Sequence, residues 1–269
     1  MGVWLGPTAA PVSFIGQNDY EYTDKATASQ HASSGTDWEI AFKASGTLRF
    51  RKNPGPIDVF LVGGGQDGDD GRLDGIAKAY GGAGGASGEC VTATNIPAKR
   101  STDYTITIGA SSGTIDTVAF GQTALGWAGE AGGSPAWSGY DGDGADAPAR
   151  NATGGASDGH YAFGVSGTLI GGSTKYGASG GGGGAARHRD TSPYSARAIR
   201  GQGGVTGGGD GGIADEDAST AANGGDATAN TGSSGGGGAC VITGYSQIVK
   251  GNGGAGASGI VIIRNHRGS

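Results

Sequence analysis

Side chains able to bind anions or stack on rings crowd one short stretch of this chain: Arg187, His188 and Arg189, then Tyr194 and Arg197, between glycine tracts at 177–186 and 201–212. Arginine offers a planar fork for bidentate hydrogen bonds and tyrosine a rigid ring, so both supply contact area at low entropic cost. Trp137, Tyr140, Tyr161 and Tyr176 punctuate earlier inserts with the same kind of surface. These nine residues are the candidate binding set, with the insert 186–200 at its centre. The plainer readings are a solvated loop for the 186–200 charges and, for Trp127 and Trp137, apolar caps on the glycine segments.

Other constellations point to weaker chemistry. Asp67-Gly68-Asp69 and Asp141-Gly142-Asp143 have the oxygen ligands and flexible turns that calcium accepts, without the full spacing of a calcium loop. Asp67, Asp69, Asp141 and Asp143 are the metal candidates, and calcium is the one cofactor considered. Gly177-Ala178-Ser179-Gly180-Gly181 satisfies G-x-S-x-G, but neither the strand before nor the helix after a nucleophile elbow is predicted there. The four histidines stand apart from one another and from both cysteines, and no Gly-Lys dipeptide offers a phosphate loop. The expectation is a protein that is not an enzyme. Cys90 and Cys240 read as two buried thiols. A disulfide is the other reading, and closing so long a loop would stabilise the fold by about 5 kcal/mol in the chain-entropy model.

The elements that must position these residues are unusual. Glycine supplies 62 of 269 residues, while Leu, Ile, Val and Phe together fall below about 20 % of the chain, too little for a conventional core of this size. Eighteen basic residues nearly balance 24 acidic ones, for a net charge of −6. That balance argues against simple charge-driven disorder, and without a basic cluster neither a nucleic-acid partner nor membrane insertion is expected. The opening residues show no export signal, and the apolar runs are strand-sized.

Those runs predict an all-β fold with very little α-helix. Trp38 to Lys43 and Thr47 to Arg51 alternate apolar and polar positions on either side of Ala44-Ser45-Gly46, which reads as a hairpin. Ile57 to Val62 is apolar on both faces and therefore central. Further strands are expected at Glu89 to Asn95, Tyr104 to Ile108, Thr114 to Phe120 and Gly259 to Arg264. The divisions that follow are an N-terminal attachment segment at 1–35, a strand-rich part at 36–128, a glycine-rich bundle with loop inserts at 129–259, and a closing strand and tail at 260–269.

Collagen is excluded, because no Gly-X-Y register persists and only 8 prolines occur. The tracts are either flexible linkers or extended helices of polyglycine-II type, three residues per turn, packed side by side. In such a bundle the backbone groups of neighbouring chains satisfy one another because no side chain keeps them apart. The bounding strands and aromatic punctuation favour the ordered bundle, with strands from both chain ends forming a small sheet assembly beside it.

Gly2 to Pro11, the Trp38 to Phe42 strand, Ser45 to Phe50, Ile57 to Gly65, Tyr104 to Ala110 and Ser258 to Arg264, in that order and spacing, resemble the glycine-rich domain of phage tail-fibre and tail-tip proteins of gut Firmicutes phages and prophages. The general design is also similar to polyglycine-sandwich adhesins at the tips of long tail fibres. The resemblance implies a virion protein of the tail tip, made in the host cytoplasm. It would bind a bacterial surface receptor, a glycan or a protein, through variable loops, and would contact other phage tail proteins. A single unit on a trimeric fibre and a homotrimer both fit that setting. The rival reading is a structural tail component whose loops touch only other phage proteins. A third, ice binding, calls for flat Thr/Ala faces, and the unequal charged inserts argue against it.

Overall fold

The computed structural model describes residues 14–267 apart from 75–77, 113, 130, 135–136, 139, 142–144, 147–151, 153–154, 156, 158, 165, 167–168, 171, 189–195, 198–206, 215–219 and 244–246. Nearly everything described is strand or extended chain, with one four-residue α-helix, Lys25–Ala28, and one 3-10 turn, Ala162–Gly164.

The main sheet has five antiparallel strands in the order Ser29–Ser34, Asp37–Phe42, Ile260–Asn265, Pro56–Val62 and Cys90–Pro97. Ile260–Asn265 is at its centre because its residues are apolar on both faces and both faces are covered. Val261 and Ile263 join Trp38, Ile40, Phe42, Ile57, Val59 and Leu61 on one side, while Ile260 and Ile262 join Phe60 and Val62 on the other. The first face packs on a second sheet, Tyr20–Tyr22, Gly46–Phe50 and Asp103–Ile106, whose Leu48, Phe50 and Ile106 complete the largest core.

The expected hairpin between Trp38–Phe42 and Leu48–Phe50 does not form. Both edges of Asp37–Phe42 are taken, by Ser29–Ser34 and by Ile260–Asn265, so Gly46–Phe50 crosses to the second layer and faces it. The burial patterns carry the same distinction: the former strand is covered on both faces and the latter on one. Tyr20–Tyr22 joins the second sheet and Ser29–Ser34 the main one, and Tyr20 and Tyr22 are buried in the shared core.

Beyond Val62, Cys90 and Ile260 the chain enters the glycine bundle. The tracts at 63–71 and 81–88 belong to it along with those after 129, so the bundle begins earlier in the sequence than composition suggested. Its centre is 232–239. Ser234, Gly235 and Gly236 donate their N–H groups to the carbonyls of Ala178, Gln66 and Gly225, and Gly237, Gly238 and Ala239 repeat the cycle with Gly181, Asp69 and Ala222, all at 2.9–3.1 Å. The carbonyls of Ser233, Ser234 and Gly235 accept from Ala257, Gly209 and Gly85, and those of Gly236, Gly237 and Gly238 from Gly254, Gly212 and Gly82. One segment therefore touches six others, each every third residue. A β-strand pairs in its ladder with two neighbours, one on each side.

The approach that permits this leaves no space for a side chain. A Cβ on Gly237 would lie 2.0 Å from the Gly82 carbonyl oxygen, and one on Gly236 would lie 2.0 Å from that of Asp210. At the periphery side chains return, with a specific task. The Oδ1 atoms of Asp67 and Asp70 accept the N–H groups of Gly256 and Gly253 at 2.7 and 2.8 Å, and those of Asp226 and Asn223 accept from Ala255 and Asn252 at 2.8 and 2.9 Å. Among the described residues these four donors of the 251–257 segment have no backbone acceptor, and the carboxylates and amide take the place of a neighbour's carbonyl.

Candidate functional site

The hydrogen-bond register gives the bundle two distinct ends. Val62, Cys90, Thr231 and Ile260 lie at the sheet end, whereas Gly71, Gly82, Gly184, Gly212, Ala222, Ala239 and Gly251 are linked to one another at the far end. At the far end glycine gives way to branched and polar residues, and the chains change from the three-residue cycle to short pleated strands. Ala196–Arg197, Ala185–His188, Cys240–Thr243 and Gln247–Lys250 form a four-stranded sheet; Trp137–Ser138, Lys78–Tyr80 and Arg72–Asp74 form a three-stranded one against it. Small buried residues, Ala79, Ala185, Cys240 and Ile242 in one cluster and Ala214, Ala239 and Val241 in another, close the bundle beneath them.

This end gathers much of the predicted binding set. Arg187 pairs in register with Ala196 and Ile242, His188 with Thr243, and Arg197 with Ala186. Trp137 pairs with Tyr80, and Tyr140 with Asp146 in the two-residue pairing that follows. Arg189, Tyr194 and Asp143 lie outside the described residues. Tyr161 and Tyr176 are elsewhere: the His160–Tyr161 and Lys175–Tyr176 strands pair over the second face of the main sheet. Tyr176 is 4 % exposed, its ring 5.5 Å from that of Phe60 in an edge-on contact. Burial, with the Glu39 charge adding to it, pushes its phenol up to about 12. That ring serves the core, because the insert carrying it must supply apolar cover for Phe60 and Ile262.

Of the metal candidates, Asp67 holds the Gly256 N–H, Asp69 is an exposed residue of its extended tract, and Asp141 lies in the Tyr140–Asp141 strand. Among the described residues no three His, Cys, Asp or Glu side chains converge on a point that could hold an ion. Ser179 of the G-x-S-x-G match is fully buried inside the bundle, its N–H bonded to the Ser157 carbonyl. Cys90 and Cys240 are free thiols. Burial, reinforced by Glu89, pushes Cys90 up to about 12, so it remains protonated at neutral pH.

Sequence reasoning passed over a buried ionic cluster on the main sheet. Asp58, at the centre of an otherwise apolar strand, accepts hydrogen bonds from Arg264 Nε, His266 Nδ1 and the Asn95 N–H at 3.1, 2.6 and 3.1 Å. Glu39 beside it accepts from the Ile170 N–H and an Arg267 guanidinium nitrogen at 3.2 and 3.1 Å, clasping the 159–176 insert to the sheet. The available signal was the lone carboxylate in Ile57-Asp58-Val59, since a charge there must be paired. Burial raises Glu39 above its ordinary 4.5 despite these partners. A raised carboxyl favours folding below the unfolded-state value and opposes it as pH rises through the folded one. Glu39→Gln is therefore expected to raise the melting temperature at pH 7 and to lose that advantage below pH 4.5, measured by thermal denaturation across that range.

The architecture is thus a β-sandwich base carrying a hydrogen-bonded glycine bundle with short strands at its far end. A family model described as a glycine-rich domain matches residues 42–266, and the chain belongs to that family. No curated protein matches the chain. Among the described residues no helix is long and apolar enough to cross a membrane.

Proposed function

We propose that this protein is a phage tail-fibre tip adhesin, acting without catalysis, that binds a glycan or protein on the bacterial surface through loops displayed on its glycine bundle. The observation that carries the reading is the placement of the strands bracketing those loops: Ala185–His188, Ala196–Arg197, Cys240–Thr243, Gln247–Lys250 and Lys78–Tyr80 all end on the face opposite the sandwich. Strands gathered at the end of the bundle away from the sandwich suit a platform for contact with a large partner. The three-residue hydrogen-bond cycle further supports reading the tracts as polyglycine-II helices, rigid enough to hold such loops in register.

The test is binding of fluorescently labelled protein to a panel of gut bacteria, beside a variant whose 186–200 insert is replaced by Gly/Ser, with circular dichroism establishing that both are folded. Selective labelling of some strains, reduced at least tenfold in the variant, is the expected result. Folded protein that labels no strain would instead favour a structural tail component, and labelling untouched by the replacement would move the contact away from this insert.

A further inference from the structure

We infer that Asn252 is a modification site, the place where this chain undergoes spontaneous deamidation, and that Asp70 sets the rate. An Asn-Gly dipeptide is prone to this reaction because glycine has no side chain to keep its nitrogen away from the preceding carboxamide. The glycine nitrogen loses its proton to base and attacks the asparagine Cγ. The C–N bond of the carboxamide breaks, and ammonia leaves. Water then opens the cyclic imide at one carbonyl or the other, giving Asp or the isomer whose backbone runs through the former side chain.

The sequence contains two such dipeptides, Asn223-Gly224 and Asn252-Gly253, and the bundle lays them side by side on its periphery. Their constraints differ. Asn223 belongs to a clasp repeated along the 251–257 tract, in which an Asp or Asn side chain and the N–H of the next residue both bond to that tract. Asp67 and Gly68 hold Gly256 and Gly254, Asp70 and Gly71 hold Gly253 and Gly251, and Asp226 and Ala227 both hold Ala255. In the same way Asn223 Oδ1 accepts the Asn252 N–H at 2.9 Å, while the Gly224 N–H donates to the Asn252 carbonyl at 2.8 Å. Both reacting groups of Asn223-Gly224 are therefore tied across to the neighbouring tract, and closing the imide ring would break both bonds.

Asn252 receives the clasp instead of making one. Its backbone is held on both sides, but its side chain is exposed and, among the described residues, makes no hydrogen bond, so the carboxamide is free to turn toward Gly253. What restrains the reaction is the nucleophile, through the 2.8 Å bond from the Gly253 N–H to Asp70 Oδ1. That bond holds the proton that must leave, and the carboxylate charge opposes the amide anion that its loss would create. One restraint against two places the first conversion at Asn252. The isomerised product adds a methylene to a tract whose bonds recur every third residue. Gly254 and Ala257, which donate to Gly236 and Ser233 at 2.7 and 2.8 Å, would then fall out of register with the centre of the bundle.

The experiment is incubation of the full-length folded protein in mildly alkaline buffer at 37 °C, with conversion at each asparagine followed over time by peptide mapping and mass spectrometry. Asn252 is expected to convert at least tenfold faster than Asn223. In urea, where the clasps are gone, the two Asn-Gly sites should convert at similar rates. Asp70→Ala frees the Gly253 N–H and should speed conversion at Asn252 several-fold while leaving Asn223 unchanged. Asp67→Ala removes the equivalent cap from Gly256 and should leave Asn252 at the parent rate, which separates release of one N–H from general loosening of the bundle; circular dichroism establishes that both variants are folded. An Asn252 rate no higher than that of Asn223 in the folded protein would overturn the assignment. So would an Asp70→Ala rate equal to the parent's, or an acceleration by Asp67→Ala as large as that by Asp70→Ala.

Discussion

Gly237→Ala is expected to cost about 4 kcal/mol of stability, at the extreme end for a single added methyl group. The new Cβ would lie 2.0 Å from the Gly82 carbonyl oxygen, an approach that backbone on both sides of the contact must open. Opening it stretches the bonds that Gly237 and Gly238 make with Gly181, Gly212 and Gly82, at 2.9, 2.7 and 2.7 Å. Lost backbone bonds of about 1 kcal/mol each then add to the steric cost. In a chain of this length the change corresponds to a fall of roughly 10 °C in melting temperature. Asn252→Ala, at an exposed position of the same bundle, is expected to stay within about 0.5 kcal/mol. Thermal denaturation of the two variants beside the parent protein measures both, and a Gly237→Ala melting temperature within 2 °C of the parent, on the order of 0.5–1 kcal/mol, would contradict the six-neighbour packing.

Asp58→Asn is expected to cost about 3 kcal/mol at pH 7, through a different mechanism. The substitution retains an acceptor for the Asn95 N–H but removes the charge facing Arg264, whose side chain is 13 % exposed and has no other carboxylate within salt-bridge distance among the described residues. Arg264 also lies 4.0 Å over the Phe163 ring, so its displacement loosens the insert that covers the second face of the sheet. The pH dependence follows from the direction of the Asp58 shift. Burial alone would raise this carboxyl, but the hydrogen bonds from His266, Asn95 and Arg264, with the arginine charge, outweigh it and hold the group below 3.8. A depressed carboxyl stabilises the fold above its unfolded-state value, and the contribution disappears as pH falls through the folded one. Urea denaturation of parent and variant should therefore show a gap that is full at pH 7 and narrows below pH 3.8. A gap that stayed constant to pH 2 would mean that the carboxylate's charge is not what the cluster uses.

How much of this was legible beforehand differs from element to element. Alternation and apolar runs identified the strands near 38–42, 47–51, 57–62 and 260–264 and the scarcity of helix, because side-chain period is a local property that survives in one dimension. The glycine tracts announced close chain packing, since a segment without side chains has little besides its backbone to bury or bond. The insert 186–200 stood out by residue type, and the strands Ala185–His188 and Ala196–Arg197 lie at the far end of the bundle. Asp67 was noticed for its carboxylate, but its partner, the N–H of Gly256, is 189 residues away and nothing local points to it.

Pairing was decided only in three dimensions. Trp38–Phe42 and Leu48–Phe50 could have formed a hairpin by their own patterns; Ile260–Asn265, arriving from the other end of the chain, took the open edge and sent the second strand to the other layer. The identity of the six segments around 232–239 was equally hidden, because one glycine tract is interchangeable with another and carries no register of its own. That register comes from the branched and aromatic residues flanking the tracts, at the sheet below and at the short strands above. The sequence by itself therefore determined which segments extend and which approach closely. Which segment lies beside which, and hence where Arg187, Tyr161 and Tyr176 finally stand, came from burying those flanking residues together.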